Sequence, residues 1–429
     1  MSLSNRQSHN GNKGDEVSLG EMNGTCISVR SLWKVFGDNP EQVMAPDYAE
    51  KSKTEIQEEL GCVVALQDVS FDVSRGETFV VMGLSGSGKS TLVRCLIRLI
   101  EPTVGGISID GENVLEYSDS KLTEFRRHKS AMVFQHFGLL PHRTIIDNAA
   151  WGLEVQGVGK KERHERARET LEMVGLKGWE EAYTTELSGG MQQRVGLARA
   201  LTVDPEILLM DEPFSALDPL IRREMQDELL DLQQRLRKTI VFITHDLTEA
   251  LKLGDRIAIM RDGKIVQLGT PEDIVENPAD EYVAEFVRDI SKTRVLGAGS
   301  IMQEPEATVF GSQEPGTAQQ VMQSNDVEYA FVLDSARTLL GVITADQAAA
   351  AVQRRVTYLQ DLDLSESSLC PRVSPNTSID NLIPLAAETE CPISVVNDEG
   401  QLVGVIPRTA LLSSLAANQR ATEVPYSPP

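Results

Sequence analysis

Apolar and polar positions change their period along this chain, and the changes mark out its elements. Residues 26–29 alternate as a strand does, and Leu32, Trp33, Val35 and Phe36 carry the apolar signal on. A largely polar insertion, 37–61, interrupts it, and 63–73 resumes the alternation. Thr78–Met82 is a short continuous apolar run, as in a strand buried on both faces, and Leu92, Cys95, Leu96 and Leu99 follow at helical spacing. Residues 131–134, 207–210 and 239–244 repeat the buried-strand pattern. Between the last two, Ile221, Met225, Leu229, Leu232 and Leu236 form one apolar helix face. Buried strands separated by helices predict an α/β fold with a parallel sheet.

Turn and capping chemistry adds detail. Ser52, Lys53, Thr54 and Glu55 fit a capping box, with Ile56 and Leu60 as apolar edge and Gly61 as C-cap, so the insertion carries a short helix. Arg75, Gly76 and Glu77 form the turn into the strand 78–82, and residues 105–111 read as an edge strand ending in a turn. Residues 148–186 are mainly helical and charged, with Arg163, His164 and Arg166 expected on a solvated face. Asp262-Gly263 is a hairpin turn, and Asn277-Pro278 is expected to open a helix bearing Tyr282, Val283, Phe286 and Val287 on one face.

The pattern changes near Ser291. No lysine follows Lys292, and from Leu296 onward six arginines face sixteen acidic residues, which predicts a separate acidic module. It repeats internally: residues 329–334 and 340–343 are echoed by 393–398 and 403–406, each unit reading as strand, Asp turn, strand, helix.

A length of 429 residues accommodates two or three domains, and a formal charge of -23 weighs against a nucleic-acid partner. Cys26, Cys62, Cys95, Cys370 and Cys391 are odd in number with no C-x-x-C pair, and read as free thiols of a reducing cytoplasm. Residues 1–24 are polar and read as disordered, neither signal nor anchor. No run of about 18 apolar residues occurs, so work at a membrane requires spanning helices from another chain.

Gly83, Ser85, Gly86, Gly88, Lys89, Ser90 and Thr91 lie between the strand 78–82 and the following helix. The glycines let backbone N–H groups turn inward onto a phosphate and the helix N-terminus adds positive potential. Lys89 can then reach the β- and γ-phosphates, and the Ser90 hydroxyl can ligate Mg²⁺. Gln135, at the end of the strand 131–134, reads alone as a loop amide; in this context it can reach Mg²⁺ and an attacking water. Ser188 caps a second helix whose N-terminus, bared by Gly189 and Gly190, is a second anion site without a lysine. Asp211 and Glu212 end a buried strand, where a carboxylate pair is costly unless it binds a cation or moves a proton. Asp211 suits Mg²⁺, and Glu212 suits orienting and deprotonating water. Asp218 is the N-cap of the helix that Pro219 opens, and His245 stands at the tip of the strand 239–244, placed to meet a γ-phosphate. Phe36 fits core packing or adenine stacking equally.

Together these residues resemble the ATP-binding cassette family over about 27–289. The resemblance implies a P-loop NTPase cassette with a RecA-like core, an antiparallel β-subdomain and an α-helical subdomain. It makes 83–91 the Walker A motif, Gln135 the Q-loop, 187–194 the signature motif and 207–212 the Walker B motif. Residues 215–218 become the D-loop, His245 the switch histidine, and Phe36 the adenine-stacking position. It also implies ATP and Mg²⁺ as cofactors and a head-to-tail homodimer in which Ser188 and Gly190 of one copy meet ATP held by the other.

The insertion, the run 81–88 and the run 134–142 look like the ATPase subunit of glycine betaine/proline importers. That resemblance implies integral membrane permease subunits, an indirect link to a substrate-binding protein, and a place at the cytoplasmic face of the membrane. An importer of another small molecule and a soluble, non-transport cassette ATPase share the core motifs. The acidic repeat resembles a tandem CBS module. Where such pairs bind adenosyl ligands, a Thr and a following Asp hold the ribose; here Thr344 has Asp346 one position early, and the second repeat has Pro407-Arg408-Thr409 without an Asp. A response to ionic strength is the alternative regulatory reading. The expected domains are a disordered 1–24, the cassette 25–290, a linker 291–302, the CBS module 303–418 and a tail 419–429.

Overall fold

The computed structural model describes residues 24–48, 51–135, 138–288, 296–364, 370–389 and 391–422. The expected disorder before residue 24, the tail beyond 422, most of the linker's first half, and His136 and Phe137 of the run 134–142 lie outside these. Two compact units are present: residues up to 245 with 260–266, and 246–259 with those from 267.

In the first unit, strand β1 (Thr25–Phe36) pairs antiparallel with β2 (Val63–Ser74). A second sheet has at its centre β3 (Thr78–Met82), in which every residue is buried. The first sheet continues through β4 (Val104–Ile109) to the two-residue β5 (Glu112–Asn113), in the order β2-β1-β4-β5. The run read as an edge strand is therefore internal: β4 pairs on both sides, and the positive φ of Asp110 and Gly111 returns the chain to β5 as the true edge.

Parallel to β3 run β6 (Ser130–Val133), β7 (Ile207–Asp211) and β8 (Thr239–Thr244), in the order β6-β7-β8-β3. Burial on both faces explains their unbroken apolar sequence. Met82 is level with Thr244, and Ile243 with Asp211, so the carboxyl ends of β3, β8 and β7 form one edge. Ligands of open parallel sheets bind outside that edge. The helices Lys89–Leu96, Gly189–Thr202 and Pro219–Leu236 start as predicted, the last with Asp218 as N-cap and Met225, Leu229 and Leu232 buried. The insertion's helix is Lys53–Leu60, with the Ser52/Glu55 capping box formed and Gly61 left-handed at φ 65°.

Arg163 and His164 depart from the expected solvated face. Their side chains are only 17% and 14% exposed and pair with Glu154 and Asp147 at 3.2 and 3.0 Å, because the helix Lys160–Met173 packs against neighbouring helices on that side; Arg166 is exposed as expected. Strands β9 (Arg256–Arg261) and β10 (Lys264–Gly269) are joined at Asp262 (φ 49°) and Gly263 (φ 73°), the two positive φ values of a type I′ turn.

In the second unit the helix expected from Asn277-Pro278 begins later. Asn277 instead ends the helix Pro271–Glu276, and Asp280 caps Glu281–Val287 by accepting from the Val283 N–H at 2.9 Å. Beyond it, β11 (Thr308–Phe310), β12 (Tyr329–Leu333) and β13 (Leu339–Thr344) form one three-stranded sheet. A matching sheet comprises β14 (Arg372–Val373), β15 (Ile393–Val396) and β16 (Leu402–Ile406). Each pairs parallel and then antiparallel.

The repeat is thus real, and 340–343 answer to 403–406 as expected, but the first strand of each unit is one residue from the expected register: Asp334 answers to Asn397, not to Asp398. The N–H groups of Asp334 and Asn397 bond the carbonyls of Thr338 and Gln401, and both side chains accept from their own turns. An Asn amide oxygen serves this turn as well as a carboxylate. Thr338 and Gln401, equivalent positions, bridge to each other, and Phe331, Leu333, Val342, Leu402 and Val405 share one core between the sheets. Leu296 and Ala298, inside the stretch expected as linker, are buried with Val373 and Ile379. Cys370 and Cys391 also depart from the free-thiol expectation. The parallel pairing of β14 and β15 brings the residues preceding them together, at a Cα separation of 5.3 Å, and the two form a disulfide; Cys26, Cys62 and Cys95 are free and buried.

Candidate functional site

The carboxyl edge of β3, β7 and β8 opens onto a cleft of about 760 Å³. One wall is the loop after β3. Gly83, Gly86 and Gly88 have φ of 151°, 82° and 105°. A Cβ on Gly83 would run into the Met260 carbonyl oxygen, and one on Gly88 would lie 2.5 Å from that of Ala65, so only glycine fits this path. Within the loop the buried Ser87 hydroxyl has no hydrogen-bond partner, a donor left for a ligand.

Lys89 is 5% exposed and donates from Nζ to the carbonyls of Gly83 (2.7 Å) and Leu84 (3.1 Å). Its nearest carboxylate oxygen, from Glu212, is 3.8 Å away. Burial pulls the ammonium's pKa down, with Glu212 and Asp211 acting against it. The lysine is held against its own loop, where an anion entering the cradle can take up its charge.

Ser90 Oγ donates to Asp211 Oδ1 at 2.8 Å, so the hydroxyl and carboxylate that the sequence assigned to a cation are adjacent; Arg94 lies 3.6 Å from the other Asp211 oxygen. An all-oxygen pair at the floor of a phosphate cradle fits Mg²⁺, which retains waters and takes few protein ligands.

Glu212 leaves β7 at φ 47°, a left-handed conformation costly for a non-glycine residue and held by its N–H bond to the Ile243 carbonyl. Its Oε2 lies 3.0 Å from His245 Nδ1. Gln135 Nε2 donates to Ser215 Oγ at 3.4 Å, and that hydroxyl donates to the Glu212 carbonyl at 3.0 Å, which ties the Gln135 loop to the strand end. Phe36, 41% exposed, stands at the rim, with Lys34 4.8 Å over its ring. Ser85, Gly86, Gly88, Lys89, Ser90, Thr91, Gln135, Glu212, His245 and Phe36 all line the cleft.

Ser188, Gly190 and Asp218 do not. Ser188 caps its helix by accepting from Met191, and its side chain is exposed. Gly190 is buried where a Cβ would come 2.5 Å from Ile221, so the glycine lets two helices approach. Asp218 accepts from the Leu220 and Ile221 N–H groups at 3.1 Å. Three polar lining residues are absent from the candidates the sequence offers, Lys53, Gln57 and Asp262, as are the apolar Val63, Val64, Ala65 and Leu84. The capping box located Lys53 on a helix, but no local signal says where that helix docks.

The match to the family described as ABC transporter spans residues 66–215, and that to the family described as CBS domain spans 370–417, the second repeat. The glycine betaine transport ATP-binding protein of Bacillus subtilis is 49% identical over 91% of this chain and 93% of its own length. The glycine betaine/proline betaine transport system ATP-binding protein of Salmonella typhimurium is 45% identical over 91% and 97%. A trimethylamine N-oxide transport system ATP-binding protein of Ruegeria pomeroyi is 50% identical over 78% and 96%. Among solved structures, a component of an ABC transporter complex from Clostridium perfringens superposes with a TM-score of 0.50 at 24% identity, over 60% of this chain and 93% of that one.

Proposed function

The chain belongs to the ATP-binding proteins of the ABC transporter family, and from that premise we propose that it energises import of glycine betaine/proline-type osmoprotectants through a separate membrane permease. The observation that carries the reading is the convergence of Lys89, Ser90, Asp211, Glu212, His245 and Gln135 at one strand edge under the Gly83–Gly88 loop. The substrate class follows that of relatives that match this chain nearly end to end.

In this reading Phe36 stacks on adenine, and the N–H groups of Ser85, Gly86, Gly88 and Thr91 cradle phosphates while Lys89 swings from the loop carbonyls to the β- and γ-oxygens. Ser90 and Asp211, with Gln135, would hold Mg²⁺, which would supply charge neutralisation at the phosphates. Glu212 orients the attacking water and takes its proton as the water oxygen bonds the γ-phosphorus and the bond to the β–γ bridging oxygen breaks, releasing ADP. His245, 3.0 Å from that carboxylate, fixes its direction and meets the γ-phosphate.

Ser188, Gly190 and Asp218 lie outside the cleft because they serve a second copy of the chain: a head-to-tail homodimer places one copy's signature helix over the other's nucleotide. No helix among the described residues is long and apolar enough to cross a membrane. In this reading the chain works at the cytoplasmic face on separate permease subunits, with the CBS-like module regulating turnover. The test is light scattering and turnover on purified protein. Wild type hydrolyses ATP; Glu212→Gln binds it without turnover and doubles in mass when ATP is added. A Glu212→Gln variant that hydrolyses at the wild-type rate, or stays monomeric when saturated with ATP, would contradict the assignment. The trimethylamine N-oxide relative favours a second substrate reading, in which that amine oxide is the cargo of the same motor.

A further inference from the structure

We propose that Lys53 is a further nucleotide-binding residue: its ammonium, delivered by the inserted helix, donates to the nucleoside end of ATP and sets affinity without entering hydrolysis. This rests on the ATP reading of the cleft.

The insertion is a built element. Its helix is capped at both ends, and Ile56, 3% exposed, packs with Val35, Val43, Cys62 and Val64. That packing fixes the helix beside the end of β1 and the start of β2, where Phe36 pairs with Val63. Lys53 and Gln57, one turn apart and so on one face, both line the cleft, as Phe36 does.

Lys53 has unspent donors in a place where that is costly. It is half-buried, and it makes no hydrogen bond or ion pair with any described residue. Burial lowers its pKa, the Asp262 carboxylate opposes this, and the Lys264 ammonium adds to the lowering. Its ammonium lies over the hairpin turn: a Cβ on Gly263 would sit 2.9 Å from Nζ. Gly263 in turn donates to the Ser87 carbonyl of the phosphate loop at 3.0 Å. Lys53 therefore occupies the wall between the aromatic rim and the phosphate cradle. With the triphosphate on Lys89 and the base on Phe36, that wall faces the ribose and the base edge, whose hydroxyl oxygens and ring nitrogens accept hydrogen bonds. A charge-assisted hydrogen bond there is worth about tenfold or more in affinity.

The test compares full-length wild type, Lys53→Ala, Lys53→Arg and Lys89→Ala by calorimetric binding of ATP and of inorganic tripolyphosphate, with KM and kcat for ATP. Lys53→Ala is expected to raise the ATP Kd and KM about tenfold, with kcat within twofold of wild type and tripolyphosphate binding unchanged. Lys53→Arg is expected to recover most of the loss. An unchanged ATP Kd in Lys53→Ala, or an equal loss for tripolyphosphate and ATP, would overturn the proposal. Failure of the underlying reading looks different: wild type would not bind ATP, or Lys89→Ala would bind it as wild type does.

Discussion

At the scale of single residues, the cleft is built from conformations the chain adopts at a cost. Glu212 is held left-handed at the end of β7, which aims its carboxylate at His245 and not into the sheet. Replacing the carboxylate with an amide keeps the shape and removes the base, so Glu212→Gln is expected to lower the ATP turnover rate by about 10²- to 10⁴-fold while ATP Kd changes little. Gly83 answers a different demand. Its φ of 151° and its contact with the Met260 carbonyl leave no room for a Cβ. Gly83→Ala is expected to cost about 1–3 kcal/mol in denaturant unfolding and to weaken ATP binding, whereas alanine at Gly316, with open space around it inside the helix Pro315–Asn325, should not destabilise. Lys89, Ser90, Asp211, Glu212 and His245 were legible because each sits at a fixed offset from the end of a buried apolar strand. Lys53 was not, since its role depends on where a helix far from that edge in sequence docks, which no local pattern encodes.

At the scale of elements, caps and periodicity gave boundaries wherever the deciding chemistry was local. The inserted helix was readable to the residue because Ser52, Glu55 and Gly61 each satisfy an end of it. Ser52→Ala removes a cap worth about 1 kcal/mol. It is expected to lower the unfolding midpoint slightly and to raise the ATP KM in the same direction as Lys53→Ala, because the helix that carries Lys53 then frays. Misreadings arose where two local signals competed. Asp280 outcompeted Asn277 as N-cap because its side chain reaches the Val283 N–H, and Asn397 took the turn position given to Asp398 because either residue can form that turn. Partnership across the sheet, invisible to periodicity, made β4 internal and paired Cys370 with Cys391. That bond spans a sequence separation of 21, and closing such a loop is worth about 3 kcal/mol. Reduction should therefore lower the unfolding temperature of the C-terminal repeats, measured by calorimetry with and without dithiothreitol, and leave ATP binding to the cleft unchanged.

At the scale of the whole molecule, the chain joins an ATP-hydrolysing cassette to an acidic tandem repeat and lacks, among its described residues, a helix able to span a membrane. The cassette's identity was readable from its motifs, while the cargo was not: no residue of this chain need touch it, and relatives of comparable identity carry names with different amines. The most direct test is the initial rate of labelled glycine betaine uptake at high osmolarity, in cells lacking this chain and complemented with wild type or Glu212→Gln, with unlabelled trimethylamine N-oxide as competitor. Wild type should restore uptake, Glu212→Gln should not, and the competitor should have little effect. Uptake that is unchanged by the deletion, in cells with no second betaine system, would contradict the account.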